Sequence, residues 1–167
     1  MRITIEKATP ADATAILAFL KQVGSETENL TFGGEGLPFT VEAEAEYLAS
    51  MENSRDDVML LAKINGEIVG NASLSRMPRR MRHRGDFSTA VVKEHWNKGI
   101  GGMLLREIIG FAKENDFAVI DLQVRSDNVA AIHLYEKFGF RTIGTHPAFF
   151  EMDGKQIPFD YMVLELK

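Results

Sequence analysis

Two apolar runs, residues 58–64 and 68–74, are separated by little more than Asn65-Gly66. A two-residue hairpin turn of the right twist needs positive φ at both central positions, and Asn-Gly adopts it readily. The pair therefore predicts an antiparallel hairpin, and any sheet containing it is at least partly antiparallel. Around it the hydrophobic period switches repeatedly. Ile3-Thr4-Ile5 reads as a first strand. Thr9-Pro10 suits an N-cap and first helical position, followed by a helix through Ala15, Ile16, Phe19 and Leu20. Residues 26–39 hold three glycines and a proline and predict an ordered, irregular loop. Thr40 opens a second helix over 40–51. Further strands are predicted at 85–92 and 118–124, and shorter ones near 140–146 and 159–166. Ile100, Met103, Leu104, Ile108, Phe111 and Ala112 form one face of a helix over 100–115. A short helix at 128–138 is stopped by Gly139. The order βααβββαβαββ predicts an α/β (α+β) fold in which helices cover a mixed sheet.

Composition narrows the function classes. The 167 residues suit a single domain over 1–167, without repeat, linker or low-complexity tract. Apolar residues at 45% supply a core, and charged residues at 26% a wettable surface. The formal charge of −5 argues against general affinity for nucleic acid or anionic membrane and favours a cationic partner. Without cysteine there is no disulfide, thiolate nucleophile or thiolate metal site, and the four histidines lack ligand spacing, so no metal is expected. No apolar stretch approaches a membrane span or a signal peptide, and a cytoplasmic protein is expected.

The stretch HWNKGIGGMLL, residues 95–105, places Gly99, Gly101 and Gly102 where a helix begins. The first amides of a helix lack internal partners and carry partial positive charge, which makes an anion site. Glycine lets a diphosphate approach them closely, and Lys98 adds a charge. A glycine turn is the plain alternative. A Walker loop is absent, and the spacing fails the dinucleotide fingerprint, since Leu104 stands at its sixth position and KEHWNK intervenes after the strand. That disfavours a nucleotide oxidoreductase. Downstream, Asn128 and Tyr135 are two helical turns apart, about 20° from eclipsed at roughly 100° per residue, so they share one face. Their plain reading is a helix cap and a core aromatic.

Together the segments V-x(7)-G-I-G-x-x-L from Val91 and VRSDNVAAIHLYEKFGF at 124–140 resemble the GNAT superfamily of acetyl-CoA-dependent N-acetyltransferases. The resemblance extends over essentially the whole chain, DGKQIPFDYMVLEL resembling the family's last hairpin. It is strongest to small bacterial members acting on ribosomal protein N-termini, polyamines or other small amines. It implies a mostly antiparallel sheet with helices on both faces, whose strands splay at the cofactor. Thr89, Ala90 and Val91 would then pair with the pantetheine arm. Asn97, Lys98, Gly99, Ile100, Gly101 and Gly102 would hold the pyrophosphate. Asn128 would contact the pantetheine or a water, and Tyr135 would lie near the sulfur as a hydrogen-bond donor to the departing thiolate. Two positions depart from the pattern. Trp96 stands where Gln or Arg is common, and Gln123 where some members carry a glutamate proposed as general base.

The base must then lie elsewhere. Asp86, on the strand approaching the thioester, is the first choice. Glu26, Glu28 and Glu35 in the first interhelical loop are alternatives that would also attract a cationic acceptor; otherwise they are a solvated acidic loop. RMPRRMRHR, residues 76–84, reads as a solvated turn, with RNA, an acidic surface or a second copy in a homodimer as its other readings. The expected acceptor is a small amine or a peptide N-terminus. A non-catalytic acyl-CoA-binding module is the competing function.

Overall fold

The computed structural model describes residues 2–167. Its elements are β1 (Ile3–Lys7), α1 (Ala13–Glu26), α2 (Val41–Met51), β2 (Asp57–Ile64), β3 (Glu67–Arg76), β4 (Arg84–Val91), α3 (Ile100–Glu114), β5 (Val119–Arg125), α4 (Val129–Lys137), β6 (Arg141–Met152) and β7 (Lys155–Glu165). Apart from three 3₁₀ turns, this is the order expected from the sequence. Local chemistry explains the boundaries. Thr9 and Asp12 form a capping box around Pro10. Thr40 accepts from Ala43 N and caps α2. Asn65 and Gly66 adopt φ 52° and 80°, as the hairpin requires.

The strands form one sheet in the order β1-β2-β3-β4-β5-β7-β6. All neighbours are antiparallel except β4 and β5. Helices cover both faces. A Cβ on Gly70 would meet Leu104 and Ile100, so that face of β3 packs on α3. Asn71 and Ser73, on the opposite face, share a cavity with Leu20 of α1 and Glu44 of α2.

Three expectations are corrected. Glu26 closes α1, so the irregular loop starts one residue later. The last two strands are much longer than 140–146 and 159–166. They meet at Asp153-Gly154 (φ 52° and 76°), a second hairpin turn of the Asn-Gly kind. Pro147 and Pro158 argue against continuous strands, but the register breaks between His146 and Phe150, so neither proline removes a ladder bond. The arginine segment is largely structural. The Arg76 guanidinium stacks 3.8 Å from the Phe117 ring, pairs with Asp56 at 2.7 Å and donates to the carbonyls of Arg82 and Asn115. Arg82 also reaches Asp56, and Arg84 pairs with Asp121. Arg79 and Arg80 remain exposed.

Candidate active site

β4 and β5 pair only at Arg84↔Val119, Gly85↔Ile120 and Asp86↔Asp121, and then part. Beyond that point β4 keeps its other neighbour, β3, through Gly70↔Val91. Val92 N donates to Val69 C=O at 2.9 Å. By the alternation of an antiparallel ladder, the backbone groups of Phe87, Thr89 and Val91 therefore point into the gap. This is the splay that the family resemblance implies, and it leaves an open strand edge for an extended ligand arm. Trp96 modifies it: its indole N–H donates to Val91 C=O at 2.7 Å. The residue that departs from the common pattern thus fastens the loop onto the strand and occupies one of the edge acceptors. The Thr89 hydroxyl is also used internally, donating to Asn71 C=O at 2.7 Å.

The edge leads into the glycine turn. Asn97 and Gly99 both have left-handed backbone, φ 62° and 82°, and Gly99 caps α3. The amides of residues 97–102 donate in none of the backbone hydrogen bonds among the described residues outside regular ladders. They form a run of donors at a helix N-terminus, with exposed Lys98 beside them. Ile100 is 1% exposed, so only its backbone faces that run. The glycines differ in purpose. Gly99 answers to its φ, and a Cβ there would touch nothing within 4 Å. A Cβ on Gly101 would come within 3.3 Å of Leu134 Cδ2, and one on Gly102 within 3.7 Å of Leu134 Cδ1. Close packing of α3 on α4 is thus a second reason for small residues there.

α4 brings Asn128 and Tyr135 to the same region. Asn128 Oδ1 accepts from Ala131 N at 3.3 Å, so it is the cap of α4. Tyr135 is 8% exposed, edge-on to Phe87 at 6.1 Å and tilted against Phe140 at 5.8 Å. Burial pushes its phenol up to about 12. It is therefore a proton-bearing group throughout the physiological range.

The opposite face of the sheet is acidic. Asp57, Ser75, Asp86 and Asp121 stand opposite one another across β2, β3, β4 and β5. Asp86 lies at the fork, and Gln123 Nε2 donates to its Oδ1 at 3.4 Å. The carboxyl has an open edge but is recessed in the fork. Desolvation there pushes it above its ordinary value, Gln123 and Arg84 oppose the shift, and Asp121 adds to it.

Beside this face lies a cavity of about 1020 Å³ lined by residues 24–35, Arg125, Asn128 and the β6–β7 hairpin. Glu26, Glu28 and Glu35 all border it, but only Glu28 keeps its carboxylate free of a backbone amide. Glu26 accepts from Lys93 N at 3.0 Å. Glu35 accepts from Gly33 N at 2.9 Å, and these backbone bonds hold its carboxyl below its usual range. A second cavity of about 550 Å³, between α1, α2 and strands β2–β4, was not anticipated from the sequence. Nor was Glu44, which is only 4% exposed. Its signal was present: Glu44, Leu48 and Met51 have the spacing of one buried helix face.

Residues 27–140 match the model of the Acetyltransferase (GNAT) family. The chain belongs to that family. It is an acetyl-CoA-dependent N-acetyltransferase, and the amide run and the open β4 edge are chemically suited to a diphosphate and an amide-bearing arm. The N-alpha-acetyltransferase RimI of Mycobacterium tuberculosis is 33% identical over 91% of this chain and 87% of that protein. A crystal structure of a GNAT-family acetyltransferase from Streptococcus pneumoniae has a TM-score of 0.95 and 32% identity, covering 99% of this chain and 100% of that one. The fold is also that of Salmonella typhimurium yncA solved with acetyl-CoA, at TM-score 0.86 and 23% identity over 100% of this chain and 95% of that one. No helix among the described residues is long and apolar enough to cross a membrane.

Proposed function

We propose that this chain, acting as one domain over residues 1–167, transfers the acetyl group of acetyl-CoA directly to a primary amine within a ternary complex. The acceptor is a small amine, a polyamine or a protein N-terminus, the RimI relative being named for N-alpha-acetyl transfer. Acetyl-CoA supplies the activated thioester. The amides of residues 97–102 and Lys98 hold its diphosphate, and the free edge at Thr89–Val91, with Ala90 on the acceptor face and Asn128 at the start of α4, lines the arm. Asp86 takes a proton from the acceptor's ammonium; the freed amine lone pair attacks the thioester carbonyl, and the C–S bond breaks with CoA leaving as the thiolate. Tyr135 donates a hydrogen bond as charge appears on sulfur, since full transfer from so weak an acid to a thiolate near about 8.5 is uphill in the ground state.

One observation carries this reading. The sheet forks at Asp86, leaving a carboxylate on one face and, on the other, a buried phenol packed on the neighbouring Phe87. A proton acceptor and a proton donor thus flank the gap into which β4 directs its backbone. The test is CoA release from acetyl-CoA with alkylamines, diamines, amino acids and alanine- or serine-started peptides. Turnover with at least one class is the expected result. Tight acetyl-CoA binding with no turnover on any class favours the acyl-CoA-binding module, for which Gln123 in place of a carboxylate speaks.

A further inference from the structure

The 550 Å³ cavity has a lining that core packing does not explain. Its floor is Asn71, Ser73, Ser75 and Ser88, side chains of the central strands β3 and β4, where apolar residues would ordinarily pack. Its walls are apolar, with Leu20, Leu37, Phe32 and Met59 among them. Its roof includes Glu44. This residue occupies the first position of the buried α2 stripe, ahead of Leu48 and Met51, where a leucine would fill space. No salt bridge among the described residues involves its carboxylate. Desolvation alone pushes its carboxyl up, without a charged or hydrogen-bonding neighbour to offset it. The group is shielded from bulk water yet borders a void. An unpaired carboxylate on a buried helix stripe is costly, and its oxygens are open only to the cavity, from which a cation can pair with them.

The surroundings say what would complete it. Ser75 lines the cavity and stands directly opposite Asp86, and Ser88 is two residues beyond Asp86 on the same face. Asp57, across from Ser75, adds negative charge, felt with that of Glu44 at the Tyr47 phenol on the cavity rim. The cavity therefore stretches from the strands beside the fork, with Asp86 just outside its lining, to the Glu44 carboxylate between apolar walls.

We infer that Glu44 anchors a second, non-reacting cationic group of the acceptor, so that the preferred substrates are amines carrying a further ammonium on a short aliphatic linker. This rests on the acetyltransferase reading above and names its acceptor class. The reacting amine meets Asp86, the methylene chain lies against the leucine, phenylalanine and methionine walls, and the serine hydroxyls and Glu44 accept hydrogen bonds from the distal ammonium. Glu44 is a specificity residue here, remote from the bond that forms.

The test compares 1,4-diaminobutane and 1,5-diaminopentane with n-butylamine and n-pentylamine. A charged hydrogen bond gained only by the diamines gives them at least about a tenfold advantage in kcat/KM. Glu44→Gln removes that advantage by raising the diamine KM, with monoamine turnover and acetyl-CoA KM within about threefold of wild type, since the reacting groups are untouched. Glu44→Leu does the same and melts no lower than wild type, because it replaces a desolvated acid on an apolar stripe. Calorimetry of 1,4-diaminobutane binding in the presence of CoA reads the same contact without turnover. The inference is overturned if wild type treats diamines and monoamines alike, or if the preference survives in both variants. A protein that binds the diamine through Glu44 but transfers no acetyl group would sink the proposed activity and leave this inference standing.

Discussion

Gln123 donates to Asp86 across the point where β4 and β5 separate, Nε2 to Oδ1 at 3.4 Å. The two residues divide a task. The glutamine stands where a carboxylate could have stood, and it opposes the upward shift of the carboxylate on the next strand. A second acid there would repel Asp86 and raise the pair's upper titration further. The arrangement puts a neutral donor beside Asp86 where a further acid could have stood, while the neighbouring Asp121 is paired with Arg84.

As the base, Asp86 must be ionised to act. The rate then falls as pH drops through its pKa, and because that value is raised, the acid limb of kcat/KM lies above the ordinary aspartate range. Gln123→Leu removes an opposing hydrogen bond and moves the limb to still higher pH. Asp86→Asn abolishes the limb and lowers kcat/KM by about 10²–10⁴-fold. Stability has the opposite sign. An acid whose folded pKa exceeds its unfolded one ionises at a cost to the fold, so Asp86→Asn melts no lower than wild type at pH 7. Wild-type activity in a folded Asp86→Asn enzyme would remove Asp86 from the mechanism.

Tyr135 gives a different signature. With a phenol near 12, it adds no basic limb to the pH profile below about pH 10. Tyr135→Phe keeps the ring against Phe87 and Phe140. We expect kcat to fall at least about thirtyfold, within the range of general-acid assistance, with acetyl-CoA KM within about threefold. The melting temperature should hardly move. Near-wild-type kcat, with chemistry limiting, would leave Tyr135 as a packing residue.

The element order and the glycine turn were legible because each rests on local signals: Asn65-Gly66 for the hairpin, Gly99 ahead of an amphipathic run, the Asn128–Tyr135 interval for a shared helix face; the fork followed only from the family resemblance that those motifs carry. What was not legible depends on partners distant in sequence. Arg76 reads as one of a basic run, but its partners are Asp56, Phe117 and the carbonyl of Asn115. Glu26 reads as a loop acid, yet it fixes the Lys93 amide on the far side of the site. Glu44 is one of three glutamates in α2, and only its spacing with Leu48 and Met51, set against the cavity, separates it from Glu42 and Glu46.

The acidic loop separates by the same reasoning. Glu28→Gln acts only through its field, so it raises the KM of a cationic acceptor at low salt and loses its effect as the Debye length shrinks from about 10 Å at 0.1 M to about 3 Å at 1 M. Glu26→Gln weakens a hydrogen bond to the turn ahead of the cradle and shifts acetyl-CoA affinity and melting temperature at any salt. Kinetics at two ionic strengths decide the matter. A salt-independent Glu28→Gln effect would assign that residue a direct contact.

The glycine cradle needs a test that separates ligand approach from helix packing, since Gly101 faces Leu134 at 3.3 Å. Gly101→Val would strain both at once. Gly101→Ala is cleaner: its methyl group meets only the flexible end of a leucine, and alanine favours a helix by up to about 1 kcal/mol over glycine. If the amides of residues 97–102 receive a diphosphate, the methyl group displaces it and acetyl-CoA affinity drops at least about tenfold, the loss of one charged hydrogen bond. Leu134→Ala is then added to restore space between α3 and α4. The double variant should stay weak in calorimetry although its packing clash is gone. Recovery of wild-type affinity in Gly101→Ala/Leu134→Ala would show that the glycine serves the α3–α4 contact, and the cradle would reduce to Gly99 and its neighbours in the turn.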